Sequence, residues 1–315
     1  MTLFFDYNKN SFGGTENMAR YFHKNVANNV PKFKKYNCLI LPGQIDKTYF
    51  ELINEEKEII IWLHNFIDQF EIKIYHLLTE KRFINKIKYI ITVSEYHKQD
   101  VIKKTGIDPN KVIVIYNAIN PIQNNINRFN NVDVPKLIYT SSSHRGLDIA
   151  LKSLHKLDFD FRLNIFSETI PDTLELKQGT EEFEIMQDQR FFFYGKTPHK
   201  TVLDYFAKSH IFILPSTYPE TFCLSLAESL SANCLSVYNN LASLKEIGNN
   251  FGINYSLKNE LDYENHIQVF SKKITEAIIK IKTNNFNPKK QSETINKKYS
   301  SDVFISSWIK LNNKL

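Results

Sequence analysis

Short, uninterrupted apolar runs alternate with longer amphipathic segments along the whole chain. Runs such as EIIIWL at 58–63 and HIFILP at 210–215 are typical of strands buried on both faces of a parallel sheet. The apolar runs predict strands at Thr2–Asp6, Tyr36–Leu41, Glu58–Leu63, Tyr89–Val93, Val112–Tyr116, Lys136–Thr140, Phe161–Phe166, Phe191–Tyr194, Ile211–Leu214, Cys234–Tyr238 and Gly252–Tyr255. The amphipathic segments predict helices at Glu16–Asn28, Tyr96–Lys104, Leu147–Leu157, Lys200–Lys208 and Leu224–Leu230.

The alternation of strands and helices indicates an α/β fold with two doubly wound parallel sheets. The two series of strands are separated by residues 118–135, which are Asn-rich, bounded by proline and without periodicity, as expected of a linker. Two Rossmann-like halves joined there would place a cleft at the carboxyl ends of their strands, where ligands usually bind. A last amphipathic helix is predicted from apolar residues at roughly helical spacing, Val303, Phe304, Trp308 and Leu311.

Composition narrows the class of protein. With 315 residues, 42% of them hydrophobic, the chain is long enough for two folded domains. The formal net charge of +6 is modest, and no basic run with interleaved aromatic residues predicts nucleic-acid binding. The cysteines, Cys38, Cys223 and Cys234, lack CxxC spacing, which argues against a disulfide framework or a structural zinc site. Without a signal peptide or a membrane-spanning apolar run, a cytoplasmic protein is expected.

The sequence SFGGTENMARYF at 11–22 follows the first predicted strand and begins a helix. Gly13 and Gly14 would let the backbone approach a ligand closely, and the helix N-terminus offers free amides to an anion. An ordinary tight turn between strand and helix explains the same residues. The pattern alone leaves both interpretations open.

Two polar residues follow predicted strands in the first half. His64 comes directly after the strand at 58–63, at the end that would face the cleft. It can be a structural histidine or a ligand-binding one. Ser94 follows the next predicted strand, and its role as a helix N-cap is sufficient to explain it.

The sequence SSSHRGL at 141–147 repeats the order of strand, small-residue loop and helix in the second half. Arg145 offers a permanently charged, bidentate donor for phosphate oxygens. Lys152 lies seven residues further on and fits a solvated side chain. Arg145 is therefore the preferred anion-binding residue.

The sequence YPETFCLSLAE at 218–228 places Glu220 before a helix and Glu228 inside it. The apolar neighbours of Glu228 leave little polar face, which argues against an ordinary surface charge. A carboxylate there could accept two ribose hydroxyls, as acidic residues do in dinucleotide-binding folds. For Glu220, a first-turn acid favoured by the helix dipole is the alternative to a ligand contact.

Taken in order, the double glycine, the strand-end histidine, VSEYHKQDVI at 93–102, SSSHRGL and PETFCLSLAES at 219–229 resemble the family 4 glycosyltransferases of the GT-B fold. The resemblance covers most of the chain, and its strongest part is the E-x7-E element from Glu220 to Glu228. It implies an enzyme that transfers a sugar from a nucleotide-diphosphate donor to an acceptor hydroxyl. It further implies retention of the anomeric configuration and no requirement for a metal ion or another cofactor.

The implied architecture is two Rossmann-like domains facing a central cleft. Residues 1–132 would form the acceptor-side domain and residues 133–295 the nucleotide-sugar-binding domain. Residues 296–315 would form a C-terminal helix that packs back on the first domain.

The resemblance assigns roles to the residues that match it. Gly13 and Gly14 match the loop that faces the donor diphosphate, and His64 matches the histidine that contacts the donor sugar. Arg145 matches a basic residue that neutralises the diphosphate as it leaves. The expected catalytic residues are therefore His64, Arg145 and Glu220.

The E-x7-E element would line the donor from sugar to ribose. Glu220 would lie near the transferred sugar and Glu228 on the ribose. Between them, the backbone amides of Thr221, Phe222 and Cys223 would lie near the sugar or the phosphate. The glutamates would position the donor, while other residues would stabilise the negative charge on the leaving diphosphate.

The sequence departs from the family pattern at a few positions. Many members carry a second basic residue in the diphosphate loop, where this chain has only serines, Ser141–Ser143. Either Lys196 supplies the missing charge or the site is weaker. Cys223 and Asn233 stand where glycine is common, and Asn233 would tolerate the left-handed conformation after a helix.

Two other functions stay open at this point. One is a related GT-B activity, phosphorolytic or hydrolytic, and the other is an inactive nucleotide-sugar-binding partner of another transferase. Family habit implies a glycan or lipid-linked glycan as acceptor, and scattered lysines would allow peripheral contact with a membrane. The base and sugar of the donor, the acceptor, the linkage and the oligomeric state do not follow from the sequence.

Overall fold

The computed structural model describes residues 2–4, 13–35, 37–41, 58–69, 80–122, 126–168 and 177–315. Its strands are β1 Thr2–Phe4, β2 Asn37–Leu41, β3 Ile59–Leu63, β4 Ile87–Thr92, β5 Val112–Val114, β6 Lys136–Tyr139, β7 Arg162–Ile165, β8 Phe191–Phe193, β9 Ile211–Leu214, β10 Leu235–Asn239 and β11 Ile253–Tyr255. Its α-helices are α1 Gly14–Asn25, α2 Lys81–Lys86, α3 Glu95–Thr105, α4 Leu147–His155, α5 Glu181–Gln187, α6 His199–Phe206, α7 Leu224–Ser231, α8 Leu244–Gly248, α9 Tyr263–Lys282, α10 Lys289–Lys298 and α11 Ser301–Lys314. The predicted strand ends at Asp6 and Tyr36 lie outside the described residues.

Strands β1 to β5 form a parallel sheet. Every residue of β3 is buried, which fits its uninterrupted apolar sequence. The described strands follow chain order, β1-β2-β3-β4-β5, without the reversal that a doubly wound sheet predicts. An apolar run predicts that a strand is buried but not which strand lies beside it, so the order of the described strands did not follow from the sequence.

Strands β6 to β11 form a second parallel sheet in the order β11-β10-β9-β6-β7-β8. The strand order reverses between β6 and β9, which are hydrogen-bonded neighbours. The predicted doubly wound order is confirmed for this sheet. Such a reversal is a topological switch point, and ligands of open α/β sheets bind outside the carboxyl ends of the strands there.

The chain divides into two compact units. Unit 1 comprises Met1–Ile119, Glu220–Leu224 and Lys298–Leu315. Unit 2 comprises Asn120–Pro219 and Ser225–Lys297. The E-x7-E element is therefore divided, with Glu220 in unit 1 and Glu228 in unit 2.

The C-terminal helix α11 packs into an aromatic cluster of unit 1. The Trp308 side chain is fully buried, and its ring centroid lies 4.6 Å from that of Phe22 and 5.0 Å from that of Trp62. Phe304 belongs to the same cluster, whereas Val303 is 40% exposed. The apolar spacing thus predicted the helix correctly but placed Val303 wrongly, because its position points away from the cluster.

Arg128 and Phe129, which fall within the predicted linker, are packed in unit 2. Arg128 donates hydrogen bonds to the Ala207 carbonyl at 2.9 Å and the Ala232 carbonyl at 2.6 Å. Phe129 beside it is buried, at 4% exposed. Burial of one arginine and one aromatic ring is not visible in an Asn-rich sequence without periodicity.

None of the described helices combines the length and the apolar character needed to cross a bilayer.

We expect Trp308→Ala to lower the free energy of unfolding by about 3 to 5 kcal/mol, because it leaves a cavity in the aromatic cluster. Val303→Ala on the same helix is the matched control and should change it by less than about 0.5 kcal/mol. Urea unfolding followed by far-ultraviolet circular dichroism measures both variants. Equal, small effects would mean that α11 does not support the core of unit 1.

Candidate functional site

His64 directly follows β3 and is buried, with 7% of its surface exposed. Its ring centroid lies 4.5 Å from that of Trp62. Within the described part of the chain, its Nε2 atom has no hydrogen-bond partner. Burial, with a smaller contribution from His97, lowers the pKa of His64 to about 3. His64 is therefore neutral near pH 7, and Nε2 is available for one hydrogen bond.

Thr221 joins the E-x7-E element to the loops that follow β3 and β4. Its hydroxyl donates to the His64 carbonyl at 2.5 Å, and its own carbonyl accepts from the Ser94 hydroxyl at 2.7 Å. All three residues belong to unit 1 and are buried. Thr221 thereby fixes the backbone that carries Glu220 next to the backbone that carries His64.

Ser94 is the N-cap of α3, as predicted, since its hydroxyl accepts from the His97 amide at 3.1 Å. His97 is fully buried, and its Nε2 atom lies 3.1 Å from the Asn65 carbonyl. Burial lowers the pKa of His97 to about 3; the hydrogen bond to Asn65 opposes this effect, and the charge of Lys104 adds a smaller lowering. Neutral His97 therefore links the loop after β4 to the loop after β3.

The double glycine lies at the beginning of α1. Gly13 is the N-cap, and a Cβ atom on it would meet the Glu16 carboxylate at 2.3 Å. A Cβ atom on Gly14 would lie 3.1 Å from the Leu224 side chain, within the same unit. Gly14 thus allows close packing of α1 against Leu224 of the E-x7-E segment. The Glu16 carboxylate takes the dipole-favoured place at this helix N-terminus, which leaves the diphosphate assignment a prediction.

The segment that contains Glu220 is buried throughout. Glu220 is 7% exposed, Phe222 7% and Cys223 6%. The Phe222 ring lies edge-on to Tyr299, with centroids 5.3 Å apart, and tilted against Tyr116 at 6.4 Å. A buried carboxylate on a segment held by hydrogen bonds and ring packing does not fit a solvated cap.

In unit 2, the loops that follow β6 and β9 meet at the switch point. Gly146 has φ of 89°, and a Cβ atom on it would lie within 1.8 Å of the Pro215 carbonyl oxygen. Only glycine fits this conformation and this contact. The backbone of the loop that carries Arg145 is thus pressed against the end of β9.

Arg145 is held over an aromatic ring. Its Cζ atom lies 5.3 Å from the Tyr218 ring centroid, and its Nη1 atom is 3.5 Å from the Ser141 hydroxyl. Thr217 adds a hydrogen bond from its hydroxyl to the His144 carbonyl at 3.2 Å. Tyr218 was missed in the sequence, although an aromatic residue directly before the Pro-Glu pair was a usable signal.

The two candidate lysines of unit 2 differ. The Lys152 ammonium lies 3.4 Å from the Glu182 carboxylate and 3.7 Å from that of Glu181, as expected of a solvated side chain. Lys196 is exposed in the loop after β8. Its role as a second cation stays a prediction.

Glu228 is buried on α7, with 7% of its side chain exposed. Its Oε1 atom lies 2.8 Å from Nε2 of His199, the first residue of α6. The hydrogen bond to Glu228 raises the pKa of His199, and burial opposes this effect. The sequence predicted that Glu228 is not a surface charge, but it gave no sign of His199. Asn233, after this helix, adopts the predicted left-handed conformation with φ of 64°.

The predicted site residues thus fall into two groups. Unit 1 holds Gly13, Gly14, His64, Glu220, Thr221, Phe222 and Cys223. Unit 2 holds Arg145, Lys196 and Glu228. Across the residues that the structure describes, no group of three or more His, Cys, Asp or Glu side chains is placed to hold a metal ion.

Two family models match the chain in succession. Residues 56–123 match Glycosyltransferase Family 4, and residues 133–299 match Glycosyl transferases group 1. A Klebsiella pneumoniae protein described as an uncharacterized 41.2 kDa protein in the cps region is 24% identical over 215 residues, which are 63% of this chain and 57% of that protein. The chain thus spans little more than half the length of this relative.

Solved glycosyltransferase structures share the fold. A glycosyltransferase from Rickettsia africae superposes with a TM-score of 0.66 at 15% identity, over 98% of this chain and 84% of that one. The pneumococcal O-GlcNAc transferase GtfA, in complex with UDP and GlcNAc, superposes with a TM-score of 0.67 at 12% identity, over 95% of this chain and 59% of that one. These likenesses confirm the α/β architecture of the GT-B class.

We expect acid to destabilise the protein partly through His97. Its unfolded form takes up a proton below about pH 6.5, whereas the folded form stays neutral down to about pH 3. The free energy of unfolding therefore decreases as the pH is lowered through this window. At about pH 5 this group alone costs about 2 kcal/mol of unfolding free energy. His97→Gln keeps a donor for the Asn65 carbonyl but cannot be protonated, so its stability should depend less on pH.

Urea midpoints at about pH 7.5 and about pH 5 measure this difference. His144→Gln, which removes an exposed histidine, should keep the wild-type pH dependence. An identical pH dependence in His97→Gln and wild type would contradict the neutral, buried state of His97.

Proposed function

The chain belongs to the Glycosyl transferases group 1 family, and on that premise we propose that it transfers a sugar from a nucleotide-diphosphate donor to an acceptor hydroxyl. The transfer retains the anomeric configuration and needs no metal ion. The acceptor is a glycan or a lipid-linked glycan. This acceptor class is carried over from the family. The first half of the chain, the acceptor side, would determine it.

One observation carries the proposal. Arg145 and the E-x7-E element follow β6 and β9, the neighbouring strands between which the order of the second sheet reverses. A cation for phosphate oxygens and a buried carboxylate for hydroxyls thus follow the two strands of the switch point. This is the pair of groups that a nucleoside diphosphate requires.

Arg145 stabilises the negative charge that develops on the leaving diphosphate. Breaking the bond between the anomeric carbon and the phosphate oxygen builds negative charge on the β-phosphate. A guanidinium already held over Tyr218 stabilises that charge without reorganising. The positive charge that other transferases obtain from a metal ion is here a side chain.

His64 holds the donor sugar. Its pKa of about 3 keeps the imidazole neutral, so His64 carries no charge and does not take up the proton that the reaction releases. Its Nε2 atom, without a partner among the described residues, bonds a sugar hydroxyl. The acceptor attacks from the face that the leaving group vacates, and its proton passes to the leaving phosphate.

Glu220 lies near the transferred sugar and Glu228 binds the ribose. Both carboxylates are buried, at 7% and 5% exposed, which strengthens each hydrogen bond they accept. The amides of Thr221, Phe222 and Cys223 add donors next to Glu220. Lys196 is the candidate for the second cation that Ser141–Ser143 do not supply.

A thermal-shift screen tests the donor. We expect one nucleoside diphosphate and its sugars to raise the melting temperature selectively, because a ligand at 100 times its Kd stabilises by about 2.7 kcal/mol. Turnover of that sugar should persist in EDTA, and proton NMR should show the product anomer unchanged. Binding without turnover in any acceptor would favour the inactive partner, and no binding of any nucleotide would refute the proposal.

Replacement of Arg145 tests the chemistry. We expect Arg145→Ala to lower kcat for donor hydrolysis or transfer by about 100- to 1,000-fold, because the charge on the leaving diphosphate loses its stabilising group. Lys152→Ala removes a cation that pairs with Glu181 and Glu182, and it should retain wild-type kcat. Equal losses in the two variants would exclude a specific role for Arg145.

A further inference from the structure

The carboxylate of Glu228 has a partner that the sequence did not suggest. His199 begins α6, and its Nε2 atom lies 2.8 Å from Oε1 of Glu228. The Glu228 side chain is 7% exposed, whereas that of His199 is 39% exposed. The pair therefore has a buried acceptor and a donor that reaches it from the surface.

Glu228 needs such a donor because its carboxylate is buried. Leu226, Ala227 and Leu230 on the same helix are fully buried. A carboxylate in such a place is costly unless a hydrogen-bond donor satisfies it. Among the described residues, His199 is the one side chain that the structure records within hydrogen-bond distance of Glu228.

The bond also leaves acceptor sites on the carboxylate. A carboxylate presents about four lone-pair sites on its two oxygens, and His199 occupies one of them. The remaining sites can accept two neighbouring hydroxyls, which is the arrangement on a ribose. The orientation of the carboxylate, and with it the direction of these sites, is set by the bond to Nε2.

We propose that His199 is a positioning residue that orients Glu228 toward the ribose hydroxyls and so makes the site select ribonucleotides over 2′-deoxyribonucleotides. The inference rests on the proposed function, since it concerns the nucleotide part of the same donor. His199 itself does not touch the reacting atoms. It acts through the carboxylate, and Nε2 donates in the imidazolium and in the Nε2-protonated neutral ring alike.

The pKa of His199 agrees with this geometry. It is raised above its ordinary value, chiefly by the hydrogen bond to Glu228 and against the opposing effect of burial. A raised pKa means that the bond is stronger with the proton on the ring. The proton on Nε2 is thus held by the same contact that orients the carboxylate.

Calorimetric titration of nucleotides tests the inference. The probes are UDP, GDP, ADP and CDP, followed by the 2′-deoxy form of the one that binds best. For the wild type we expect the ribonucleotide to bind about 10- to 100-fold more tightly than its 2′-deoxy form, the range of a hydrogen bond to a charged group. In His199→Ala this ratio should fall about tenfold, while affinity for the 2′-deoxy form changes little.

Two further variants separate positioning from a structural role. His199→Gln carries an amide donor of similar reach and should restore most of the ratio. Lys200→Ala removes the exposed neighbour of His199 on α6 and should leave the ratio unchanged. Melting temperatures of all variants confirm that each one is folded.

The outcomes are distinct. If the wild type binds a nucleoside diphosphate but does not prefer the ribose form, or if His199→Ala weakens both forms equally, the positioning role is refuted while the proposed function stands. If none of the nucleotides binds the wild type, the proposed function fails and the inference fails with it.

Discussion

Two hydrogen bonds of one residue determine where the E-x7-E element lies in unit 1. Thr221 donates to the carbonyl of His64, which directly follows the buried strand β3, and accepts from the hydroxyl of Ser94, two residues after the end of β4. Strands in a close-packed sheet move little, so the segment that they hold is equally fixed. Glu220 therefore receives its position from the core of unit 1, although the residues on either side of its segment belong to unit 2.

Much of the fold was visible in the sequence because burial on both faces leaves a continuous apolar run. β9, Ile211–Leu214, was predicted with its observed bounds, and β3 was predicted within one residue. The helix α9, Tyr263–Lys282, was not predicted, although it contributes a buried face to unit 2. His266 interrupts its apolar stripe and is fully buried, because its Nε2 atom lies 2.8 Å from the Tyr255 hydroxyl. A buried polar residue that is hydrogen-bonded to another element interrupts the apolar pattern, so the pattern does not reveal its core position.

Candidate site residues can be named from the sequence where one residue type indicates a chemistry, and they are missed where a contact between distant residues creates the arrangement. Arg145 was singled out by its charge in a strand-to-helix loop, and the burial of Glu228 was predicted from its apolar neighbours. Tyr218 lies 73 positions after Arg145, and His199 lies 29 positions before Glu228. Neither aromatic ring has a spacing rule that leads to its partner, because a parallel sheet brings together loops that are distant in the chain.

Gly146 has a consequence for how this protein can change over evolutionary time. Its contact with the Pro215 carbonyl, and hydrogen bonds to the carbonyls of Ser142 and Ser143, hold the loop through main-chain atoms. The side chains of those two serines are therefore dispensable for the shape of the loop. A basic residue could be gained or lost there by point substitution while Arg145 stays in place, so the number of cations in this loop is an adjustable trait of an otherwise fixed backbone.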